Sequence, residues 1–307
     1  MRIGLYVSTP AEMPLDDALD QLAATEAHGF ATAWVGQLLD RDALTVIALG
    51  ARRTERIELG TWVLPIQPRH PATLALQART VQEAAGGRLV LGIGVSHAEV
   101  VEKRFGLSRA APAEHMREYL DVLQPLLRGD GVEHRGKRYA VKLALPAGKT
   151  PPPALFLAAL GPAMLRLAGA RADGVALWLG GPRFLENHAL PALQHGAQAA
   201  KRALPRVACG LPVAVTRDNS RSRASAEAFL AQSSKLPAYR AVLEKSAYTC
   251  AADAALIGDE DGVARELGRL AALGVTDFTA VLFPVEGDPE AARRTRGFLS
   301  HAGTSIG

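Results

Sequence analysis

Arg56 to His97 reads RIELGTWVLPIQPRHPATLALQARTVQEAAGGRLVLGIGVSH. An apolar run, Ile57 to Val63, ends at Leu64-Pro65. A Pro-containing loop follows, then a long helical pattern with no internal Gly or Pro. A second apolar run, Leu89 to Ile93, enters Gly92-Ile93-Gly94-Val95-Ser96-His97. The order is strand, loop, helix, strand, glycine-rich loop. The loops after the two strands carry Gln67, Arg69 and His70, then Ser96 and His97. In a parallel β/α protein such loops lie at the carboxyl ends of the strands, where ligands bind.

Outward from this stretch, short apolar runs alternate with amphipathic ones along the chain. Strands are expected at Ile3–Val7, Ala33–Val35, Ile57–Val63, Leu89–Ile93, Ala154–Leu157, Gly174–Trp178, Val207–Val215 and Phe278–Phe283. Helical patterns fall at 15–28, 42–52, 71–84, 113–127, 161–170, 183–202, 223–232 with 237–246, 260–273 and 289–300. Their apolar residues recur every three or four positions, as in Leu120, Leu123 and Leu127. Gly29 and Gly274 follow helical patterns at the position where a left-handed residue ends a helix. Repeated β/α units with eight strands predict an α/β fold, a (β/α)8 TIM barrel. A doubly wound sheet is the rival. It favours fewer strands and a GxGxxG after the first one, where this chain has Ser8-Thr9-Pro10.

The chain is read as one domain over residues 1–307, with insertions near 129–150 and 232–259. The first has the turn residues and alternation of a hairpin. The second is longer than an ordinary crossover and is expected to be helical, over the barrel mouth.

Composition narrows the function. Of the residues, 48% are apolar, enough for a large core, and the net charge is +4. Seven of the 35 basic residues are Lys. The many Arg lie scattered among acidic residues, which reads mostly as solvated helix faces. No basic block interleaved with aromatics points to nucleic acid. Cys209 and Cys250 make neither a disulfide framework nor a CxxC site. No apolar run is long enough to span a membrane, and the N-terminus is too polar for a signal peptide, so a cytoplasmic protein is expected. No HxH, HExxH or carboxylate cluster marks a metal site, and GxSxG is absent. A barrel with glycine-softened mouth loops and no metal, nucleophile or acid pair is better matched to an organic cofactor.

Three motifs could hold such a ligand. Gly94-Val95-Ser96-His97 presents bare backbone, a hydroxyl and an imidazole; it reads equally as a structural turn. Ala159-Leu160-Gly161-Pro162 places Pro162 at the first turn of a helix, whose free amides suit a phosphate; an ordinary βα turn explains it too. Arg69 and His70 could meet an anion, or Pro71 could simply start the next helix with His70 beside its cap. The remaining histidines, including His115 and His134, sit in polar surroundings.

Together, Gly60-Thr61-Trp62-Val63, the Pro71 helix, the run Gly86 to Gly94, and Ala158 to Gly174 resemble the bacterial luciferase-like monooxygenase superfamily, most of all its coenzyme F420-dependent oxidoreductases. The resemblance covers nearly the whole chain. It implies a luciferase-like barrel, with a deazaflavin or flavin ring at the carboxyl ends of the strands. A bulge with a non-proline cis peptide would stand behind the ring in strand three, by position at Trp62-Val63 beside Thr61. The loop Gly94, Val95, Ser96, His97 would pass along the cofactor, and Ala159, Leu160, Gly161 and Pro162 would bind its phosphate.

The activity implied is hydride transfer between C5 of F420 and a small-molecule substrate; His97 is the candidate proton donor or polariser, with Gln37 and His70 as lining groups and Gln37 the second catalytic candidate. Homodimers are common in the family. The alternatives are an FMN-dependent monooxygenase supplied by a partner reductase, and a non-catalytic cofactor-binding protein. Two departures stand out. Gly36-Gln37 replaces the Ser-Asp-His that several members carry after strand two, and His97 stands where the glucose-6-phosphate dehydrogenases have an acidic residue.

Overall fold

The computed structural model describes residues 1–37, 39–146 and 148–302. In chain order the elements are β1 (Arg2–Val7), α1 (Leu15–Ala27), β2 (Thr32–Val35), α2 (Ala43–Gly50), β3 (Glu58–Thr61), β4 (Leu64–Pro65), α3 (Pro71–Ala84) and β5 (Leu89–Gly94). Then come α4 (Pro112–Arg128), β6 (Gly131–Arg135), β7 (Ala140–Ala144), β8 (Ala154–Ala158), α5 (Pro162–Arg171), β9 (Gly174–Trp178), α6 (Pro182–Phe184) and α7 (Leu190–Ala199). The chain finishes with β10 (Arg206–Val215), α8 (Asn219–Leu230), α9 (Pro237–Lys245), β11 (Leu256–Gly258), α10 (Glu260–Ala272), β12 (Asp277–Leu282) and α11 (Ala291–Ala302). The sheet order is β11-β10-β12-β1-β2-β3-β5-β8-β9, and β10 also pairs with β9. This is the parallel eight-stranded α/β barrel that the alternating pattern predicts.

The backbone packs as two compact units. One comprises Met1–Tyr6, Ala24–Ala33 and the chain from Ala159 onward; the other comprises Val7–Ala23 and Trp34–Ala158.

In the second unit, all six residues of β5 are buried, as expected of a parallel strand covered on both faces. Helix α3 begins where Pro71 needs no N–H partner, and the Ala72 amide donates to Nδ1 of its N-cap, His70. It buries the stripe Leu74, Ala75, Ala78 and Val81. Helix α4 buries Met116, Leu120, Leu123 and Leu127 and ends at Gly129, whose φ of 85° is left-handed. The expected hairpin is β6 and β7, paired antiparallel with Val132 opposite Leu143 and His134 opposite Val141.

In the first unit, β10 is ten residues long and nine of them are buried. Its early half pairs with β9 and its last three residues with β11, while β12 lines its other edge. Asp277, 2% exposed, opens β12 and accepts from Arg206 Nε at 3.1 Å and from the Thr276 hydroxyl at 2.7 Å.

Three details differ from the sequence pattern. The run Ile57–Val63 is a strand only over β3, and a separate two-residue strand, β4, follows it at Leu64–Pro65. The helical stretch read as 183–202 contains a wide turn at Leu185–Ala189 ahead of α7; Pro191, which has no N–H to donate, is the second residue of α7. The insertion near 232–259 carries a strand, β11, besides its helices.

Candidate active site

The break between β3 and β4 is a bulge. Gly60 lies opposite Val90 and Leu64 opposite Ile93. Four residue steps on one strand therefore match three on its neighbour. A bulge strands ladder groups, and here they belong to Gly92. The Thr61 hydroxyl meets both: it donates to the Gly92 carbonyl at 2.8 Å and accepts from the Gly92 N–H at 2.8 Å. Thr61 is fully buried. A Cβ on Gly92 would lie 2.1 Å from the Thr61 carbonyl oxygen, so only glycine fits there.

The next peptide, Trp62-Val63, is cis, at the position the family resemblance implies. The Trp62 N–H donates to the Val35 carbonyl at 2.8 Å. Behind it stands fully buried Trp34, edge-on to Trp62 at 5.1 Å and 5.8 Å from Phe156. Gly60 makes room for Trp34, since a Cβ there would come within 2.2 Å of its ring. Trp62 and Val63 themselves are half-buried. The bulge thus offers a partly open apolar face with a rigid aromatic backing.

The loop after β5 is the second component. Gly94 admits the close approach of Ala158 and Val63, each 3.0 Å from where its Cβ would be. Val95, Ser96 and His97 are half-buried. Ser96 is left-handed, with φ 49°. Gln67 Nε2 donates to the Val95 carbonyl at 2.9 Å, and Arg109 Nε donates to the Ser96 carbonyl at 2.9 Å. A wide helical turn, Glu99–Arg104, follows. The His97 carbonyl accepts from the amides of Val100 and Val101 at 3.0 and 2.9 Å.

Burial, and then the Arg109 guanidinium, push the His97 pKa below the ordinary imidazole value of 6.5. The shift favours the neutral imidazole, which can accept a proton or polarise through its N–H.

Gln37 and Arg69 turn out to be joined. Gln37 Oε1 accepts from the Ala43 amide at 3.0 Å and from Arg69 Nη2 at 3.3 Å, and its Nε2 donates to the Arg41 carbonyl at 3.3 Å. Arg69 also pairs with Asp42, the N-cap of α2. The Gln37 amide therefore clasps its own loop, and the charge of Arg69 is met by a carboxylate of the chain.

In the first unit, Ala159 is buried, Leu160 half-buried, and Gly161 and Pro162 exposed. Pro162 occupies the first turn of α5 and Gly161 is its N-cap, with no side-chain cap. The amides of Ala163 and Met164 thus face outward from the helix start without a side-chain acceptor, and a Cβ on Gly161 would meet nothing within 4 Å. Among the described residues, no group of three or more His, Cys, Asp or Glu is placed to hold a metal ion. No helix there is long and apolar enough to cross a membrane.

The sequence reading missed a buried cluster under the hairpin. His115, expected in polar surroundings, is 5% exposed. Its Nε2 lies 2.8 Å from the Tyr139 hydroxyl, and Tyr119 packs 5.9 Å from the Tyr139 ring. Burial first, and Arg138 second, drive the His115 pKa down to about 4 against the pull of Glu118. Burial likewise pushes the Tyr139 phenol up to about 12. The helical spacing of His115 with Met116 and Tyr119 was the one available signal.

The luciferase-like monooxygenase family profile matches residues 1–295, and the chain belongs to that family. An uncharacterised protein of Mycobacterium tuberculosis is 32% identical over 262 residues, 80% of this chain and 75% of that protein. The F420-dependent glucose-6-phosphate dehydrogenase of Nakamurella multipartita is 30% identical over 242 residues, 73% of this chain and 70% of the relative. A solved F420-dependent secondary alcohol dehydrogenase, in complex with an F420-acetone adduct, shares the fold with a TM-score of 0.80 at 17% identity; the match covers 100% of this chain and 99% of that one. The protein is an enzyme of this superfamily.

The buried imidazole sets a pH dependence. His115 binds its proton more weakly in the fold than in the unfolded chain. Unfolding free energy should therefore fall as pH drops from about 6.5 towards about 4 and lose that slope below. Urea unfolding across this range checks it, and His115→Gln should flatten that part of the profile.

Proposed function

We propose that this enzyme is an F420-dependent oxidoreductase that moves a hydride between C5 of the deazaflavin and a small organic substrate. The observation that carries the reading is the bulge at Trp62-Val63. It is half-open, apolar and backed by Trp34, as a flat ring requires, and it follows β3 at a strand's carboxyl end. The F420-dependent relative supports the same cofactor. When bound, the deazaflavin supplies or takes up the hydride.

The chain's own groups do the rest. Trp62 and Val63 give the ring an apolar surface, and Thr61 acts behind them by holding the bulge closed. Gly94, Val95 and Ser96 carry the backbone past the ligand. His97, neutral near pH 7, accepts a proton from the substrate or polarises it. Gln37 lines the pocket and is held to its own loop. Separately, the start of α5 from Ala159 to Pro162 suits a phosphate through the amides of Ala163 and Met164. The homodimer common in the family is part of this reading, and light scattering checks it.

Titration of the protein with F420 and with FMN decides the cofactor. F420 is expected to bind more tightly; tighter FMN binding overturns the reading in favour of a flavin monooxygenase with a partner reductase. Turnover is then sought by screening enones, imines and nitro compounds with reduced F420.

Gly161→Asp tests the phosphate site. The open space around Gly161 accepts the side chain, and Asp is a favourable N-cap, so thermal stability should hold or rise. The new carboxylate competes for the free amides and repels phosphate, so cofactor affinity should fall.

His97→Ala should lower turnover by about 10²–10⁴-fold, the usual worth of acid–base assistance, with cofactor affinity largely kept. Steady-state kinetics and a cofactor titration on the same variant check it.

A further inference from the structure

The loop from Val95 to Ala111 is long and mostly exposed, and it starts and ends on strained backbone. Ser96 has φ 49° and Ala111 φ 46°, both left-handed conformations that L side chains rarely adopt. Each end is tied by an arginine to a backbone carbonyl. Arg109 Nε reaches back across the loop to the Ser96 carbonyl at 2.9 Å. Arg138, at the tip of the β6–β7 hairpin, donates from Nη2 to the Ala110 carbonyl at 2.6 Å.

The hairpin tip is itself pinned. Glu118 Oε1 on α4 accepts from the amides of Arg138 and Tyr139 at 2.8 and 2.9 Å, and His115 holds the Tyr139 hydroxyl. A continuous path therefore runs from α4 through the hairpin tip to Ala110, and from neighbouring Arg109 to Ser96, the residue before His97.

We propose that Arg109 is a positioning residue for His97, and that the β6–β7 hairpin holds Arg109's segment in place through Arg138. The proposal rests on the reading that His97 faces the substrate. Arg109 acts on His97 in two ways. Its Nε fixes the left-handed turn from which the imidazole projects. Its charge lies close enough to disfavour the imidazolium, adding to the effect of burial. Lysine could supply the charge but not the planar Nε–H in that geometry. The hairpin's part is indirect: it makes no bond to His97 and acts by restraining Ala110.

Two measurements test this in the intact chain of residues 1–307, neither of which depends on turnover. In an NMR titration of the His97 ring, Arg109→Gln should raise the midpoint, as loss of a nearby positive charge does. Arg109→Lys should bring it back towards the wild-type value. Hydrogen exchange reads the loop at Val100, Val101 and Leu107, whose amides are bonded within it. Arg138→Ala, at an exposed hairpin tip, should speed their exchange about tenfold, with protection in β5 and α4 unchanged. Arg109→Lys should show the same acceleration, because it restores the charge but not the tie.

An unmoved His97 midpoint in Arg109→Gln overturns the proposal, and so does unmoved loop exchange in Arg138→Ala. Full turnover in His97→Ala would instead remove His97 from the chemistry while leaving the brace intact, so the two readings fail separately.

Discussion

The Thr61 hydroxyl shared with the Gly92 backbone is the constraint on which the candidate site depends. A one-residue offset between neighbouring strands leaves a buried N–H and C=O without ladder partners, and each costs about 1–3 kcal/mol if unpaired. One hydroxyl serves both, because it can donate and accept at once. Valine has the same shape and could do neither. The arrangement also needs Gly92, whose missing Cβ lets the Thr61 carbonyl come close. With the offset closed in this way, Trp62 and Val63 sit half-exposed while Leu64 and Pro65 rejoin the sheet beside Ile93 and Gly94. The open surface and its rigid backing thus have a single origin.

The arginines carry a second theme. Their scatter through the sequence reads as solvated helix faces, and several behave otherwise. Arg88 donates to the carbonyls of Ala51, Thr54 and Ile57 and to the Thr54 hydroxyl. Arg294 holds the Val215 carbonyl, and Arg109 and Arg138 hold those of Ser96 and Ala110. A guanidinium suits this use, since it presents several donors in a fixed plane and stays charged. Loops that helices and strands leave unsupported are tied down by side chains from elsewhere in the sequence.

That explains which parts of the molecule could be read in advance. The eight barrel strands are short, apolar and punctuated by turn residues, and α3 is framed by Pro71 and by Gly86-Gly87, so local pattern suffices. The cis peptide at Trp62-Val63 was reached through family likeness, because nothing local in Trp-Val distinguishes a cis bond from a trans one. Strand β11 escaped notice because three residues, Leu256 to Gly258, are too few to show a period. The role of Arg109 lies in a hydrogen bond across 13 residues, and that of Arg138 in one across 28; periodicity does not show which carbonyl a guanidinium reaches. For Gln37 the sequence suggested a group free for substrate, whereas the fold commits its amide to its own loop. For His97, titration depends on burial and on the charge of Arg109 brought near it by the fold, which the chain order does not display.

Strand β11 has a further consequence. The outer end of β10, Val213 to Val215, runs past the edge it shares with β9, where its backbone would otherwise lack a strand partner on that side. Leu256 to Gly258 lie along that edge in register. An open parallel edge is a template for another chain. The excursion between α8 and α10 therefore works as a guard rail: it lets the longest strand overhang the barrel while closing the place where two copies of the protein could otherwise zip together.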